Sequence, residues 1–203
     1  GTFIMTVDGQ ETRIGVLGGT FDPPQNGHIA VAEAVFERLH LDHVLFVPAG
    51  DPWHKDEEAT PAQRLAMVSL ALEHSQHFSV SSVDIDRPGP TYTIDTLREL
   101  SKLYPGAKLF FILGDEAFAG IQTWKNYEEL GEFATFVVVS RHGTQPEVPA
   151  KLSPSVNLLE ISALPISSTQ CRERIVNGQS LEGLVPDSVV EFIEEHQLYR
   201  RNA

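Results

Sequence analysis

The sequence predicts an α/β fold in which helices cover both faces of a doubly wound, mainly parallel sheet. Short apolar runs alternate with segments whose apolar residues recur at helical spacing, and parallel strands need such helical crossovers between them. Residues 109–113 are apolar without interruption, as expected for a strand buried on both faces of a sheet. Two glycines directly follow the first apolar run, which is typical of a tight turn from a strand into a helix.

The first half of the chain alternates between predicted strands and helices. The elements expected here are strands at 14–17, 44–47 and 78–85, and helices at 28–39, 60–72 and 93–103. The first helix carries Ile29, Ala32, Val35 and Phe36 on one face. The second helix has a particularly clear start, because a capping threonine precedes a proline in the first turn.

The second half continues the alternation with less regular spacing. Its expected elements are strands at 109–113, 136–139 and 158–161, and helices at 127–133, 168–177 and 186–196. Ser168 is predicted to cap a helix that Gly178 ends, and Pro186 with Asp187 to open the last one. Residues 142–154 contain three prolines and no apolar periodicity, so they are predicted to form a surface loop.

Length and composition predict one domain over residues 13–203, preceded by a tail at 1–12. The 203 residues suit one domain with a sizeable core, and no repeat or linker divides them. A formal net charge of −13 argues against a surface for nucleic acid or anionic membrane. With a single cysteine, Cys171, and no apolar run of about 20 residues, we expect a soluble cytoplasmic protein. Its oligomeric state stays open.

Residues 18–28, here called the phosphate loop, have the features of an anion site. Gly18 and Gly19 allow backbone N–H groups to approach a ligand, and the N-terminus of the following helix favours negative charge. The dinucleotide pattern Gly-x-Gly-x-x-Gly and the Walker pattern are both missing from this loop. A turn that only connects strand and helix is the alternative interpretation.

A second candidate lies near the other end of the domain, at residues 166–172 (Ile-Ser-Ser-Thr-Gln-Cys-Arg). Hydroxyl groups at a helix start and an arginine one turn later can hold a polyphosphate by charge-assisted hydrogen bonds. Together, the two segments resemble the phosphate motifs of the nucleotidyltransferase superfamily. In that superfamily the first motif ends in His-x-Gly-His, whereas Gln25 stands here in place of the first histidine.

Within the superfamily, the chain resembles the bacterial nicotinate mononucleotide adenylyltransferases. The segments that carry the resemblance are PAGDPWHK at 48–55, VDIDRPGPTYTIDTL at 83–97, GDEAFAGIQTW at 114–124, VSRHG at 139–143 and VPDSVVEFIEEHQLY at 185–199. The resemblance implies a Rossmann-like fold that binds ATP beside a pyridine mononucleotide. It also implies adenylyl transfer by direct in-line attack, giving deamido-NAD and pyrophosphate.

The resemblance also implies the site residues. Those implied for catalysis are His28, Gln25, Lys55 and Arg172. Those implied for ATP are Gly18, Gly19, Thr20, Phe21, His28, Gly114, Glu116, Arg141, Ile166, Ser168, Thr169 and Arg172. Those implied for the mononucleotide are Lys55, Tyr92, Thr93 and Trp124, with Trp124 stacked on the pyridine ring and Thr93 near its acid group. No metal-ligand spacing occurs in the sequence, so Mg²⁺ is expected to arrive bound to ATP.

Several of these residues have plainer alternatives. Lys55 could belong to a solvated charge run, Trp124 to the core, and Arg141 to the surface. The family usually has Gly-Ala-Asp where this chain has Gly-Asp-Glu, so either Asp115 or Glu116 could meet the nucleotide. A catalytically weak nucleotide-binding relative, or a nucleotidyltransferase for another phosphorylated substrate, is therefore the alternative function.

The amide of Gln25 is expected to donate to a phosphate oxygen without the charge of a histidine. On that interpretation Gln25 slows the chemical step, and Gln25→His accelerates turnover at least several-fold.

Overall fold

The computed structural model describes residues 11–50, 59–141, 145–162 and 165–200, so Lys55 lies outside the described residues. The strands are β1 (Arg13–Gly19), β2 (His43–Pro48), β3 (Phe78–Val80), β4 (Lys108–Gly114), β5 (Ala134–Ser140) and β6 (Val156–Glu160). The α-helices are α1 (Asn26–Arg38), α2 (Pro61–Ala71), α3 (Val83–Asp86), α4 (Thr93–Leu103), α5 (Asp115–Ala119), α6 (Ser168–Val176) and α7 (Asp187–Glu195). Short 3₁₀ helices span Ile121–Thr123, Tyr127–Glu132 and Ser153–Ser155.

The six strands form one parallel sheet in the order β3-β2-β1-β4-β5-β6. The chain builds outward from β1 in one direction and then, from β4, in the other. Strand order therefore reverses between β1 and β4, and in open parallel sheets ligands bind outside the carboxyl ends of the strands at this point. The predicted doubly wound parallel α/β fold is confirmed.

Apolar residues cover both faces of the sheet. One core cluster packs beneath α4, around Leu97, Leu100 and Phe136, and a second packs beneath α1 and α2, around Val35, Val68 and Phe110. A third cluster joins α2 to α6 and α7. This third cluster matters for the site, because it fixes the two late helices α6 and α7 against α2. Among the residues described, no helix has the length and apolar character needed to span a membrane.

Four details of the sequence prediction are wrong. The strand predicted at 78–85 ends at Val80, because the chain turns into α3, where the Asp86 N–H donates to the Ser82 carbonyl. Residues predicted as a helix at 127–133 form a 3₁₀ helix. The cap of α6 is Ser167, whose Oγ accepts from the Gln170 N–H at 3.0 Å, so Ser168 is the first helical residue. Helix α5, which follows β4 directly, is not predicted.

We predict that His43 makes the fold acid-sensitive. Its side chain is buried beside Ser79 (Nε2 to Oγ, 2.7 Å), and burial, with a smaller effect of His77, lowers the pKa of His43 to about 4. As the pH falls from 6.5 to 4, His43 takes up a proton in the unfolded chain, where its pKa is near 6.5, but stays neutral in the folded chain. This difference lowers the free energy of unfolding by up to about 3 kcal/mol. His43→Gln should lose less stability than wild type between pH 7 and 4.5, measured by urea unfolding.

The exposed His74 supplies the control for this measurement. His74→Gln should keep the wild-type pH dependence of the free energy of unfolding. An identical acid loss in wild type and in His43→Gln would contradict the prediction.

Candidate active site

The phosphate loop leaves β1 and enters α1 through a conformation that several long-range contacts hold. Phe21 has a left-handed backbone (φ 57°), and its buried ring meets His28 edge to face at 4.8 Å between centroids. The peptide bond between Asp22 and Pro23 is cis. The loop thus brings an aromatic ring against the imidazole of His28, in the first turn of α1.

Three carbonyl groups of the phosphate loop accept hydrogen bonds from other elements. Arg64 Nη1 on α2 donates to the Thr20 carbonyl at 2.8 Å, and Arg172 Nη1 on α6 donates to the Asp22 carbonyl at 2.8 Å. Ser168 Oγ donates to the Pro23 carbonyl, also at 2.8 Å. Carbonyl oxygens repel a phosphate, so engaging them elsewhere favours an anion in the space that the loop borders.

The Asp22 carboxylate is buried and bound by the end of the described chain. The Tyr199 hydroxyl donates to Asp22 Oδ1 at 2.5 Å, and both residues are less than 5% exposed. Burial and the Asp22 charge raise the pKa of Tyr199, so its hydroxyl stays a donor. The charges of Arg64 and Arg172 also reach this hydroxyl. The segment after α7 therefore completes the floor beneath the phosphate loop.

His28 presents one ring nitrogen to the site as a donor. Its Nδ1 accepts a hydrogen bond from the Gln25 backbone N–H at 3.1 Å, which leaves the proton of a neutral ring on Nε2. Burial lowers the pKa of His28 to about 4, so the ring is neutral near pH 7 before any anion binds. His28 borders two cavities, so a ligand that extends from one to the other would pass this residue.

Gln25 is the cap of α1, and its side chain has partners within the protein. The Oε1 atom accepts from the backbone N–H groups of Gly27 and His28, and Nε2 donates to the Ile166 carbonyl at 3.1 Å. The sequence interpretation directed this amide at a phosphate oxygen. In the structure this amide connects the start of α1 to the segment that precedes α6, and Gln25 also lines two of the cavities at the site.

Three cavities adjoin one another at the carboxyl edge of β1 and β4, and we name them by position. The β4-β5 cavity, about 550 Å³, is lined by Leu17, Gln25, Gly27, His28, Val31, Ile112, Leu113, Gly114, Asp115, Glu116, Val139, Arg141 and Ile166. The loop cavity, about 590 Å³, is lined by Gly19, Thr20, Phe21, Asp22, Gln25, His28, Ser167, Ser168, Thr169 and Arg172. The α4 cavity, about 310 Å³, includes Gly18, Ala49, Asp84, Thr91, Thr93, Thr96, Phe111 and Trp124 in its wall.

Nearly all predicted site residues that the structure describes line one of these cavities. Asp115 and Glu116 both border the β4-β5 cavity, so either acid is placed to meet a nucleotide there. Trp124 packs edge to face on Phe111, at 6.1 Å between centroids, while also lining the α4 cavity. Tyr92 is the exception, since it lines none of the three and instead lies beneath the ammonium of Lys125, which is 4.7 Å from its ring centroid.

The wall of the α4 cavity contains a charged network that sequence reasoning missed. The buried Asp84 carboxylate accepts hydrogen bonds from the Thr96 hydroxyl and from Arg87, which also pairs with Glu99. Burial raises the pKa of Asp84, while Thr96 and Arg87 oppose that rise. Arg64 and Tyr199 were also missed, and no local pattern marks any of these residues. Asp84 could have been singled out only as an acid inside an apolar segment.

Gly50 fixes the outer side of the α4 cavity. Its N–H donates to Thr91 Oγ1 at 3.0 Å, and a Cβ built on it would lie 2.1 Å from the Asp84 carbonyl oxygen. The backbone after β2 thus contacts α3 at a distance that only glycine permits. Within the described ranges, no three His, Cys, Asp or Glu side chains group closely enough to hold a metal ion.

The chain matches known proteins over most of its length. A family model described as cytidylyltransferase-like matches residues 16–174. The probable nicotinate-nucleotide adenylyltransferase of Leifsonia xyli is 48% identical over 188 residues, covering 93% of this chain and 94% of the relative. The corresponding protein of Acidothermus cellulolyticus is 48% identical over 201 residues, covering 95% and 97%.

Solved structures agree with the fold. The nicotinic acid mononucleotide adenylyltransferase of Plasmodium falciparum, complexed with NaAD, superposes with a TM-score of 0.75 at 20% identity, over 93% of this chain and 98% of that one. At this identity the superposition supports the architecture alone. The identity to the bacterial relatives decides the family, and the chain belongs to the nicotinate-nucleotide adenylyltransferases, within the cytidylyltransferase-like proteins.

Proposed function

We propose that this protein transfers the adenylyl group of ATP to nicotinate mononucleotide, giving deamido-NAD and pyrophosphate as a step in NAD biosynthesis. An oxygen of the mononucleotide phosphate attacks the α-phosphorus of ATP in line. The bond from that phosphorus to the bridging oxygen breaks, and pyrophosphate leaves with the bond electrons. The chemistry needs no covalent enzyme intermediate, so the protein contributes mainly positioning and charge stabilisation.

The adjacency of the three cavities carries this proposal. The β4-β5 and loop cavities share Gln25 and His28, and the loop and α4 cavities share Gly19. Leu17, Ile112, Leu113 and Gly114 line both the β4-β5 and the α4 cavity. Two nucleotides can therefore lie on opposite sides of β1 and β4 with their phosphates meeting near His28. A single mononucleotide site would not need three connected spaces.

Each cavity suits one part of the substrates. Adenosine is proposed for the β4-β5 cavity, beside Glu116 and Arg141, and the ATP phosphates for the loop cavity, beside Thr169 and Arg172. The pyridine ring is proposed for the α4 cavity, stacked on Trp124. Thr93 borders that cavity at the start of α4, where hydroxyl and N–H donors suit the acceptor-only carboxylate of nicotinate.

Mg²⁺ is proposed to enter with ATP. The loop cavity offers hydrogen-bond donors in its hydroxyl, imidazole and guanidinium groups, and these donors suit phosphate oxygens. Mg²⁺ needs oxygen ligands instead and usually retains several waters. The ion would be held by ATP phosphates and water, and it would neutralise negative charge there. Lys55 remains the proposed contact to the mononucleotide phosphate, and a reducing cytoplasm remains the proposed compartment.

Pyrophosphate release tests the function directly. Purified protein with ATP, Mg²⁺ and nicotinate mononucleotide should release pyrophosphate and form deamido-NAD, and omission of either nucleotide should abolish both. CTP in place of ATP, and other phosphorylated acceptors in place of the mononucleotide, should give much lower kcat/KM values. ATP binding without turnover on any acceptor would favour the weak nucleotide-binding relative.

Trp124→Ala should raise the KM for nicotinate mononucleotide at least tenfold while changing the KM for ATP less than threefold. Only the pyridine ring is proposed to stack on the indole, because Trp124 lines the α4 cavity and neither of the other two. Steady-state kinetics with each substrate varied in turn measures both constants in one preparation. Equal effects on the two constants would make Trp124 a packing residue.

A further inference from the structure

Gln25 lies where the two phosphate-binding segments meet. Its side chain is 5% exposed and makes three hydrogen bonds, two through Oε1 to the first turn of α1 and one through Nε2 to the Ile166 carbonyl. Ile166 directly precedes Ser167, the cap of α6. One amide therefore joins the starts of α1 and α6, through a hydrogen bond to Ile166 that spans 141 positions in sequence.

We infer that Gln25 is a positioning residue, which holds the starts of α1 and α6 at a fixed separation across the loop cavity. The inference rests on the proposed adenylyl transfer for its functional meaning. The Oε1 and Nε2 atoms each have a partner within the protein, and through these partners the amide holds His28 and the α6 segment, both of which line the loop cavity. The Gln25 backbone contributes to the same effect, because its N–H donates to His28 Nδ1 and sets the orientation of the ring.

Hydrogen-bond capacity explains why glutamine suits this arrangement. A glutamine oxygen has two lone pairs and can accept from both Gly27 and His28, while the amide nitrogen still donates to Ile166. A neutral imidazole has one acceptor and one donor, so it can complete at most two of the three bonds. A histidine at position 25 would thus leave the backbone N–H of either Gly27 or His28 without this acceptor.

The first test is Gln25→His under single-turnover conditions. The positioning role predicts a rate equal to or lower than that of wild type, and no additional ionisation in the pH–rate profile. If position 25 instead contacts the transferring phosphate, the variant should react several-fold faster, with a new ionisation near pH 6 to 7. That result would overturn the inference.

The second test is a double-mutant cycle between Gln25→Met and Arg172→Met. If Gln25 seats the α6 segment, Arg172→Met should weaken binding of a non-hydrolysable ATP analogue at least threefold less in the Gln25→Met background than in wild type. Additive effects would overturn the inference. Calorimetry needs neither the mononucleotide nor turnover, so failure of the proposed reaction and failure of the positioning role give different results.

The matched control is Gln63→Met. Gln63 belongs to the capping box of α2 as its third helical residue, with Oε1 accepting from the N–H of the cap Thr60, and it lines none of the three cavities. In the Gln63→Met background, Arg172→Met should keep its full effect on analogue binding. If Gln25→Met unfolds, Gln25→Asn replaces it in the cycle, since asparagine is a favoured helix cap for the α1 amides and its shorter side chain withdraws the donor from Ile166 without adding a charge.

Discussion

His28→Ala is expected to lower kcat by roughly 10² to 10³, the usual loss when one preorganised donor to a developing oxyanion is removed. The neutral ring has its proton on Nε2, because Nδ1 already accepts from the Gln25 backbone. His28 borders both the β4-β5 and the loop cavity, and the α-phosphorus must lie between them if the adenosine and the phosphates occupy one cavity each. The KM for ATP should change less than threefold, because Thr169 and Arg172 remain.

A second variant separates catalysis from helix capping. His28→Ala also removes the acceptor for the Gln25 N–H, whereas the oxygen of His28→Gln can accept that bond as glutamine does in a capping box. A loss of thermal stability confined to His28→Ala would therefore show that the imidazole stabilises the start of α1. A loss of kcat common to both variants would show that the imidazole acts in the chemical step. A His28→Ala enzyme within threefold of the wild-type kcat would place the transferring phosphate elsewhere.

Gly50→Ala is expected to impair mononucleotide binding and stability together. The added Cβ would approach the Asp84 carbonyl oxygen to 2.1 Å, so the backbone after β2 must move away from α3. Overpacking of this kind costs about 1 to 3 kcal/mol. Because Asp84 and Thr91 line the α4 cavity, the KM for nicotinate mononucleotide should rise at least tenfold, while the KM for ATP changes little.

Gly120→Ala is the matched control, since its added Cβ would have no neighbour closer than 3.8 Å and its φ of −97° suits alanine. Gly50→Ala should raise the KM for the mononucleotide and lower the Tm, whereas Gly120→Ala should keep both close to the wild-type values. Wild-type KM values in Gly50→Ala would mean that the contact between Gly50 and α3 does not shape the α4 cavity.

Sequence reasoning reached the two phosphate segments because each has a local signal. Glycines after an apolar run, and hydroxyls before an arginine at a helix start, are visible within a few residues of one another. Their proximity also follows from the fold, because parallel strands place these loops at one edge of the sheet. The structure brings them into direct contact, with Ser168 on the Pro23 carbonyl and Arg172 on the Asp22 carbonyl.

The parts that sequence reasoning missed depend on pairs of distant residues. Arg64 reaches the Thr20 carbonyl across 44 positions, and nothing in its helix distinguishes it from a surface arginine. The strand predicted at 78–85 includes the residues of α3, where Val83 and Ile85 alternate with polar residues as they would in a strand. That alternation has another cause, since Asp84 turns inward to Thr96 and Arg87 rather than outward to water.

The bond from Tyr199 to Asp22 spans 177 positions and has a consequence for how the protein matures on the ribosome. Synthesis proceeds from the N-terminus, so β1 and the phosphate loop emerge among the first segments. Their buried carboxylate, however, cannot gain its phenol partner until α7 and the residues after it have been made. A nascent chain stalled before that point lacks this bond and the packing of α7, so it should hold ATP poorly.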